Sequence, residues 1–494
     1  MLEVSAPRDR LPATDVAAKH AGGSKDPPLH AGGPVPGGSL GRLAIAAGVG
    51  AALWFLPLEL APLVQHTLAV AAFLVVAWIS HALDHGLSGL IGCYLFWALG
   101  LVNFPVAFSG FADSTAWFLL GAVLFGMMAT KSGLARRLAY RVMRSLGHTY
   151  ARLLLGLILS DFLLTFLVPS GIARVVIMAA VALELLDAFG VDRRSNIARG
   201  MFIILTYTAT IFDKTIIAGA ASILSRGLIE RIGGVEVLWS RWFVAYLPCD
   251  LITIFVAWRL TLYFYPPEKL ALAGGTAVLE DALREMGPWS AVERRAALLM
   301  TVAIVLWMTD RLHHIPPPMI GLGIGLVATL PRIGVLDLED LKRVNYLPIF
   351  FVGAAVSMGQ VLVATKALDV LTDILFAWMG PLVTDVYSST LVLYWSAFLY
   401  HIPLGDETSM LATSVPALMS FAHARQLDPL ALGMIWTFGA GAKVFVYQSA
   451  PLVVGYSYGC FDARDLLKIG ACLTVIESLI LILLVPFYWP LVGV

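Results

Sequence analysis

Charge is what this sequence has least of. Only 13% of its 494 residues are Asp, Glu, Lys or Arg, and the 33 cations and 33 anions cancel. A soluble protein of this length needs far more charge to cover its surface, so an ordinary water-soluble globule is excluded. The zero balance also removes any global field that would draw nucleic acid or an acidic partner. Cysteine is scarce as well. Cys93, Cys249, Cys460 and Cys472 are scattered and form no CxxC, which leaves them as core residues without a disulfide or zinc framework. No HExxH is present, and no stretch alternates like a barrel strand, so the spanning elements are helices.

What is present is apolar: 59% of the chain is hydrophobic and the mean hydropathy is +0.83. Runs of about 20 apolar residues, enough to cross the hydrocarbon core, recur from Leu43 onward, and about 11 apolar segments can be drawn. Residues 1–40 differ, being rich in Gly, Pro and Ala with no apolar run. They are expected to form a disordered cytoplasmic tail and not a signal peptide. Spans fall near 43–58, 63–82, 87–108 and 115–130. The stretch Lys131–Arg144 spaces its cations helically between apolar residues, as in an interfacial helix on the cytoplasmic side. Next come 152–189, broken at Pro169-Ser170-Gly171; 199–224, interrupted at Asp213-Lys214; and a span at 241–264. The polar stretch 266–293 reads as a loop between a first membrane repeat, 41–265, and a second, 294–494. The second contains spans at 294–309, 318–331 and 346–364, then 388–424 broken at Pro403–Thr408, 429–456 interrupted at Lys443, and 469–490.

The halves repeat. Ala129-Thr130-Lys131 recurs as Ala364-Thr365-Lys366, each after an apolar span and before a broken hairpin and an interrupted helix. The helix after the first copy carries Arg136, Arg137, Arg141 and Arg144. The stretch after the second carries Asp369 and Asp373 and no cation. That asymmetry is what an inverted repeat predicts, and matched interruptions point to a midplane binding site.

The stretches Phe118–Arg137, 163–185, Leu205–Leu224, Ile349–Lys366 and Glu407–Tyr458 resemble the divalent anion/sodium symporters, a family of dicarboxylate, citrate and sulfate transporters. The likeness covers roughly residues 42–494. It implies an all-α inverted-repeat transporter with two re-entrant hairpins and two interrupted helices, working as a homodimer by an elevator motion. It further implies that a Ser-Asn-Thr at each hairpin tip and a Thr-Pro-Pro-like signature in each unwound helix hold sodium and the substrate's anionic group. Here the hairpin triplets fall on Ser170-Gly171-Ile172 and Asp406-Glu407-Thr408. The helix signatures fall on Ala220-Ala221-Ser222 and Ser449-Ala450-Pro451. The Asn is missing twice, so the pattern argues against sodium. Ser170, Gly171, Ile172, Thr408, Ser449 and Pro451 are the expected substrate contacts, with Arg174 able to clamp a carboxylate or to pair with Asp213.

Intramembrane charge carries the rest. A Lys at the centre of a spanning helix costs about 3 kcal/mol even on the generous insertion scale. Lys214 precedes Ala220 by six residues and Lys443 precedes Ser449 by six, so the lysines hold matched places in the two repeats. An ammonium can take the carbonyls that would hold a monovalent cation, replacing sodium, and a buried lysine can also carry a proton. The plainer alternatives stay open: Lys443 paired with Asp406 or Glu407, and Lys214 paired with Asp213 or reaching the interface. Asp406 and Glu407 read either as a proton or cation site or as solvated tip residues. Arg174, Lys214 and Lys443 balance Asp213, Asp406 and Glu407. Protonating the carboxylates would turn the set positive, which describes proton-coupled transport. Asp161, Asp250 and Glu477 read as inter-helix hydrogen-bonding groups, His401 as structural, and His313-His314 as a loop pair without metal. A Ser170–Lys214 nucleophile pair would suit a membrane enzyme and hairpins also line channels, but the first leaves Lys443 unexplained. The reading taken is a multi-pass inner-membrane secondary transporter of small organic anions, di- or tricarboxylates, with no cofactor and no enzymatic activity. Sulfate, another oxyanion or an amino acid stand as alternative cargoes.

Overall fold

The computed structural model describes residues 40–146, 149–269 and 275–494; the expected tail, apart from Leu40, lies outside the described residues. Among those described the regular structure is helical, with no strand. Six helical stretches are long and apolar enough to span a membrane: Pro62–Ile79, Ser114–Ser132, Asn196–Gly233, Trp239–Phe264, Leu347–Ala364 and Ala463–Phe487. This is fewer than the 11 apolar segments of the sequence, because some form single helices too short to count, such as Leu40–Phe55 and Pro317–Val327, and others are divided into half-helices that stop and restart.

One order of elements occurs twice. In the first half it is a long helix (Ser114–Ser132), an amphipathic helix (Leu134–Leu146), a hairpin (Tyr150–Thr165 and Gly171–Phe189), a broken helix (Asn196–Thr215 and Ala220–Gly233) and a long helix (Trp239–Phe264). In the second it is Leu347–Ala364, Ala367–Phe376, Val386–His401 with Glu407–Ala424, Pro429–Ala440 with Ala450–Ser457, and Ala463–Phe487. Packing between the halves is reciprocal. The helix His85–Ala98 lies on Leu347–Ala364, and Pro317–Val327 lies on Ser114–Ser132. The second limb of each broken helix packs on the hairpin of the opposite half, as a two-fold relation between repeats produces.

Local chemistry sets the interruptions. In the first hairpin, Pro169 disfavours helix at Val168, and Ser170 then caps the next helix by accepting from Ala173 N–H. In the second, the first limb ends before Pro403, Gly405 turns the chain at φ 81°, and the Asp406 carboxylate accepts from Thr408 and Ser409 N–H. The break in the first broken helix falls at 216–219, not at Asp213-Lys214; those two lie in the last turn before it. Ile216 is extended there, within the β-branched run Thr215-Ile216-Ile217, a residue class with lower helix propensity than Lys.

Two other expectations are corrected. The connector 266–293 is not only a loop, since it contains the helix Gly275–Glu285, packed on the amphipathic helix and the first hairpin. The amphipathic helix is also not simply lying in the interface, because its apolar face is covered by the first hairpin and the connector helix. Arg136, Arg141 and Arg144 are exposed as expected, but Arg137 is buried. Its guanidinium meets Glu293 at 2.6 and 3.2 Å and the carbonyls of Met286 and Gly287. This bidentate pair ties the first repeat to the start of the second. Burial alone would raise the Glu293 carboxyl, but hydrogen bonds from Arg137 and Ser290 hold it below the ordinary glutamate value. Its contribution is therefore complete at neutral pH and is lost only as acid takes the pH below about 4. Glu293→Ala leaves a buried guanidinium uncompensated and should destabilise by about 3–5 kcal/mol. A fall in the temperature at which the detergent-purified protein stays monodisperse would register it, with Glu293→Gln intermediate.

Candidate functional site

The hairpin tips meet the breaks. At the first tip, Gly171 is so close to its neighbours that an added Cβ would collide with Asp213 Oδ2 and stand 2.7 Å from Pro451 Cγ. The tip of the first repeat therefore touches its own broken helix and the restart of the second one. Ser170 is half-buried and caps the helix with a neutral hydroxyl, while the Ile172 side chain is exposed. The restarting limbs Ala220–Gly233 and Ala450–Ser457 begin after Gly219 and Ser449, and neither residue caps with its side chain. The Asp213 carboxylate lies beside Gly219, whereas the restart after Ser449 presents the positive end of its helix dipole without a side-chain cap. Ser449 and Pro451 are buried beside this end.

The cations divide into three settings. Arg174, fully buried, donates Nε to Asp161 (3.0 Å), Nη1 to Asp213 (2.9 Å) and the Val168 carbonyl, and Nη2 to the Ala209 carbonyl (2.7 Å). Of the two sequence readings for Arg174, pairing with Asp213 is the arrangement seen; its donors fasten the first hairpin to the broken helix. Lys214 pairs with neither Asp213 nor the interface. It is 2% exposed, donates to Glu477 Oε1 (3.1 Å), lies 3.9 Å from Asp250 Oδ1, and faces the Phe438 ring at 3.9 Å. Lys443 stands in the second break and donates to Glu407 Oε2 (2.8 Å) and to the Gly441 carbonyl (3.2 Å). Asp406 does not join that pair. It accepts from Thr408 N–H, Ser409 N–H and Ser409 Oγ, and faces His85 Nδ1 at 3.5 Å. Thr408 is half-buried in the same turn. Asp213 lies within Coulombic reach of both Glu407 and Lys443, so both hairpin tips border one region.

The backbone freed by the breaks is met by side chains. Trp242 Nε1 donates to the Lys214 carbonyl (2.8 Å), Ser222 Oγ to the Asp213 carbonyl (2.9 Å) and Tyr207 OH to the Lys443 carbonyl (3.3 Å). Gln448 Oε1 accepts from Val444 and Phe445 N–H (2.7 and 2.8 Å), and buried His401 donates Nε2–H to the Gln448 carbonyl (3.1 Å). Unwound backbone at this depth is tolerated only under such conditions. His313 bonds the Leu306 carbonyl, and the described residues hold no cluster suited to a metal ion.

Sequence reasoning missed partners more than sites. Asp161, Asp250 and Glu477, expected as inter-helix hydrogen-bonding groups, are the counter-charges of Arg174 and Lys214. His85 was not singled out at all. The available signal was arithmetic: each carboxylate inside an apolar span needs a cation.

The profile of the sodium:sulfate symporter transmembrane region matches residues 39–494. The chain belongs to that family. It is accordingly a multi-pass membrane transport protein and not an enzyme. Among individual proteins it is similar to a "Membrane protein" of Cupriavidus necator H16, at 26% identity over 87% of this chain and 88% of the relative. It is also similar to L-tartrate/succinate antiporters of Shigella dysenteriae (23%, over 78% of this chain and 80% of the relative) and of Escherichia coli K12 (23%, with the same coverage).

Because Gly171 abuts Asp213 and Pro451, Gly171→Ala should push the first tip away from both. We expect transport by this variant to fall at least about tenfold with expression and folding preserved, since a 1 Å displacement can cost far more. Near wild-type uptake in proteoliposomes would show the close approach to be dispensable.

Proposed function

We propose that the chain is a secondary active transporter of dicarboxylates, succinate and tartrate among them, that works without sodium and uses Lys214 and Lys443 as tethered cations. The observation that carries this is Lys443 seated in the second break, its ammonium on the Gly441 carbonyl and Glu407. An ammonium there takes oxygen ligands that a sodium ion would need, so the residues do not fit a sodium site. The relatives named L-tartrate/succinate antiporters support the substrate class and an exchange mode.

A difference between the two tips supports one seat for the anion over the other. The second is already capped by the Asp406 carboxylate, whereas the first carries the neutral cap Ser170 and lies beside the uncapped restart after Ser449. A substrate carboxylate fits best against Ser170 and the Ser449 turn, where two helix N-termini converge, beside the Gly171–Pro451 contact, which is itself too tight to admit a ligand. Thr408 and Ile172 flank it. The family resemblance supports an elevator motion and a homodimer. The exposed arginines of Leu134–Leu146 support an inner-membrane orientation with that helix, and the N-terminus, on the cytoplasmic side.

Uptake of labelled succinate, L-tartrate and sulfate into proteoliposomes, with sodium and pH varied separately, tests the reading. We expect saturable dicarboxylate uptake unaffected by replacing sodium with choline, and Lys443→Ala should lower it and make the residual activity respond to sodium. Strict sodium dependence of the unaltered protein would overturn the tethered-cation reading; uptake of sulfate alone would overturn the substrate class.

A further inference from the structure

Lys214 faces two carboxylates with one charge. Glu477 offers both oxygens to donors: Oε1 takes the Lys214 ammonium at 3.1 Å and Oε2 takes Tyr394 OH at 3.1 Å. Asp250 is different. Its Oδ2 accepts from Thr215 Oγ1 at 2.7 Å, but Oδ1 has no hydrogen-bond partner, although the residue is fully buried and Lys214 Nζ stands 3.9 Å away. Lys443 cannot make up the deficit, being spent on Glu407 at 2.8 Å. The other titratable groups facing the cluster are Cys249 and Tyr246 from the helix of Asp250, Tyr394 from the second hairpin and Tyr207 from the broken helix, none of which brings a positive charge. Two carboxylates and one ammonium thus share a water-excluded place, one oxygen of which lacks a donor.

We propose that Asp250, with Lys214 and Glu477, forms a buried proton-binding site, the proton residing on Asp250 Oδ1, and that its occupancy sets the pH dependence of anion transport. Binding is a plain protonation: the carboxylate takes a proton, becomes neutral, and leaves Lys214 and Glu477 as a balanced pair. Burying two carboxylates against one ammonium is costlier than burying a balanced pair and a neutral carboxyl, so this is the form the geometry favours. One cavity approaches the site, reaching Glu477 but not Asp250 itself. This cavity of about 10 Å³, the size of one water molecule, is lined by Lys443 and Gly441 of the second break, by Tyr207 and Thr210, and by Thr474 and Glu477. It joins Lys443, which borders the region of the hairpin tips, to Glu477, which bonds Lys214. The site is separate from the proposed carboxylate contacts at Ser170 and Ser449, and it acts on them through charge. With Asp250 neutral the core carries one negative charge less, and a dianion binds more readily.

This inference rests on the dicarboxylate reading above, and its test separates the two. Succinate and L-tartrate affinities of the detergent-purified protein are measured between pH 5 and 9. One linked proton lets the affinity rise by up to about tenfold per pH unit as pH falls, until the site is full. Asp250→Asn, neutral at every pH, should hold the affinity of the unaltered protein's acid limit throughout, and Asp250→Glu should restore the slope. If Asp250→Asn keeps the original slope, the proton is elsewhere and the proposal fails. If neither acid binds at any pH, the substrate reading fails, and infrared difference spectra of protein labelled with 13C-aspartate decide the proton site alone. A protonated-carboxyl band that shifts with the label, and that Asp250→Glu moves out of the labelled set, supports the site. Its absence across the pH range overturns the site, and this measurement needs no Asn variant to fold.

Discussion

A helix that stops inside a membrane must give its freed carbonyls and N–H groups to something other than water, and it must do so without leaving a charge alone. Most of what distinguishes this chain follows from that requirement. Arg174 meets the Val168 and Ala209 carbonyls while neutralising Asp161 and Asp213. Trp242 caps the Lys214 carbonyl, and Gln448 folds back on two N–H groups of the second break. Gly441 is bare because a Cβ there would stand 2.8 Å from Lys214 Cδ. The lysine of the first repeat is thus packed against the break of the second, and neither break can be described without the other.

Position is shared between the repeats; chemistry is not. The first break spans four residues, 216–219, and the second nine, 441–449. Lys214 sits in the last turn of a helix and turns away toward Asp250 and Glu477, whereas Lys443 lies within unwound chain and meets a hairpin tip. One tip is capped by a hydroxyl and the other by a carboxylate that faces His85. Two equivalent pockets with equal charge would bind an anion equally well in either. On the proposed reading, an acidic cap in one and a neutral cap in the other concentrates the attraction on the first tip.

The sequence announced the architecture because breaks and charges are rare in apolar chain. Pro169-Ser170-Gly171 and the stretch from Pro403 to Thr408 stand out, and both mark hairpin turns. The matched lysines were visible by counting. Glu407, named as an alternative partner for Lys443, is the one it has; the partner of Lys214 was not legible, since Lys214 and Glu477 are 263 residues apart and hydropathy is blind to pairing. The first break lies a few residues beyond Asp213-Lys214 because both side chains are satisfied within a helix and the chain opens only at the extended Ile216. The connector helix Gly275–Glu285 went unseen because its polar composition resembles that of a loop; its helicity rests on packing against two neighbours.

A tethered cation has an energetic consequence that a bound sodium ion does not. Sodium carried with a substrate is released on the far side, and its gradient drives the cycle. A lysine returns with the protein, so on the proposed reading Lys443 helps to seat the anion but contributes no driving force. Net work must then come from something that exchanges with solution. Two candidates have a physical basis here: a second anion moving the other way, and protons on carboxylates that outnumber the cations. Arg174 and Lys214 each face two carboxylates, while Lys443 faces one. With every group ionised, these three cations stand against five anions before any substrate arrives, which repels a dianion. Adding protons removes that repulsion, whereas sodium would find its oxygen ligands at Lys443 already taken. On the proposed reading, the excess of carboxylates ties anion affinity to proton concentration and leaves exchange as the mode available when protons are scarce.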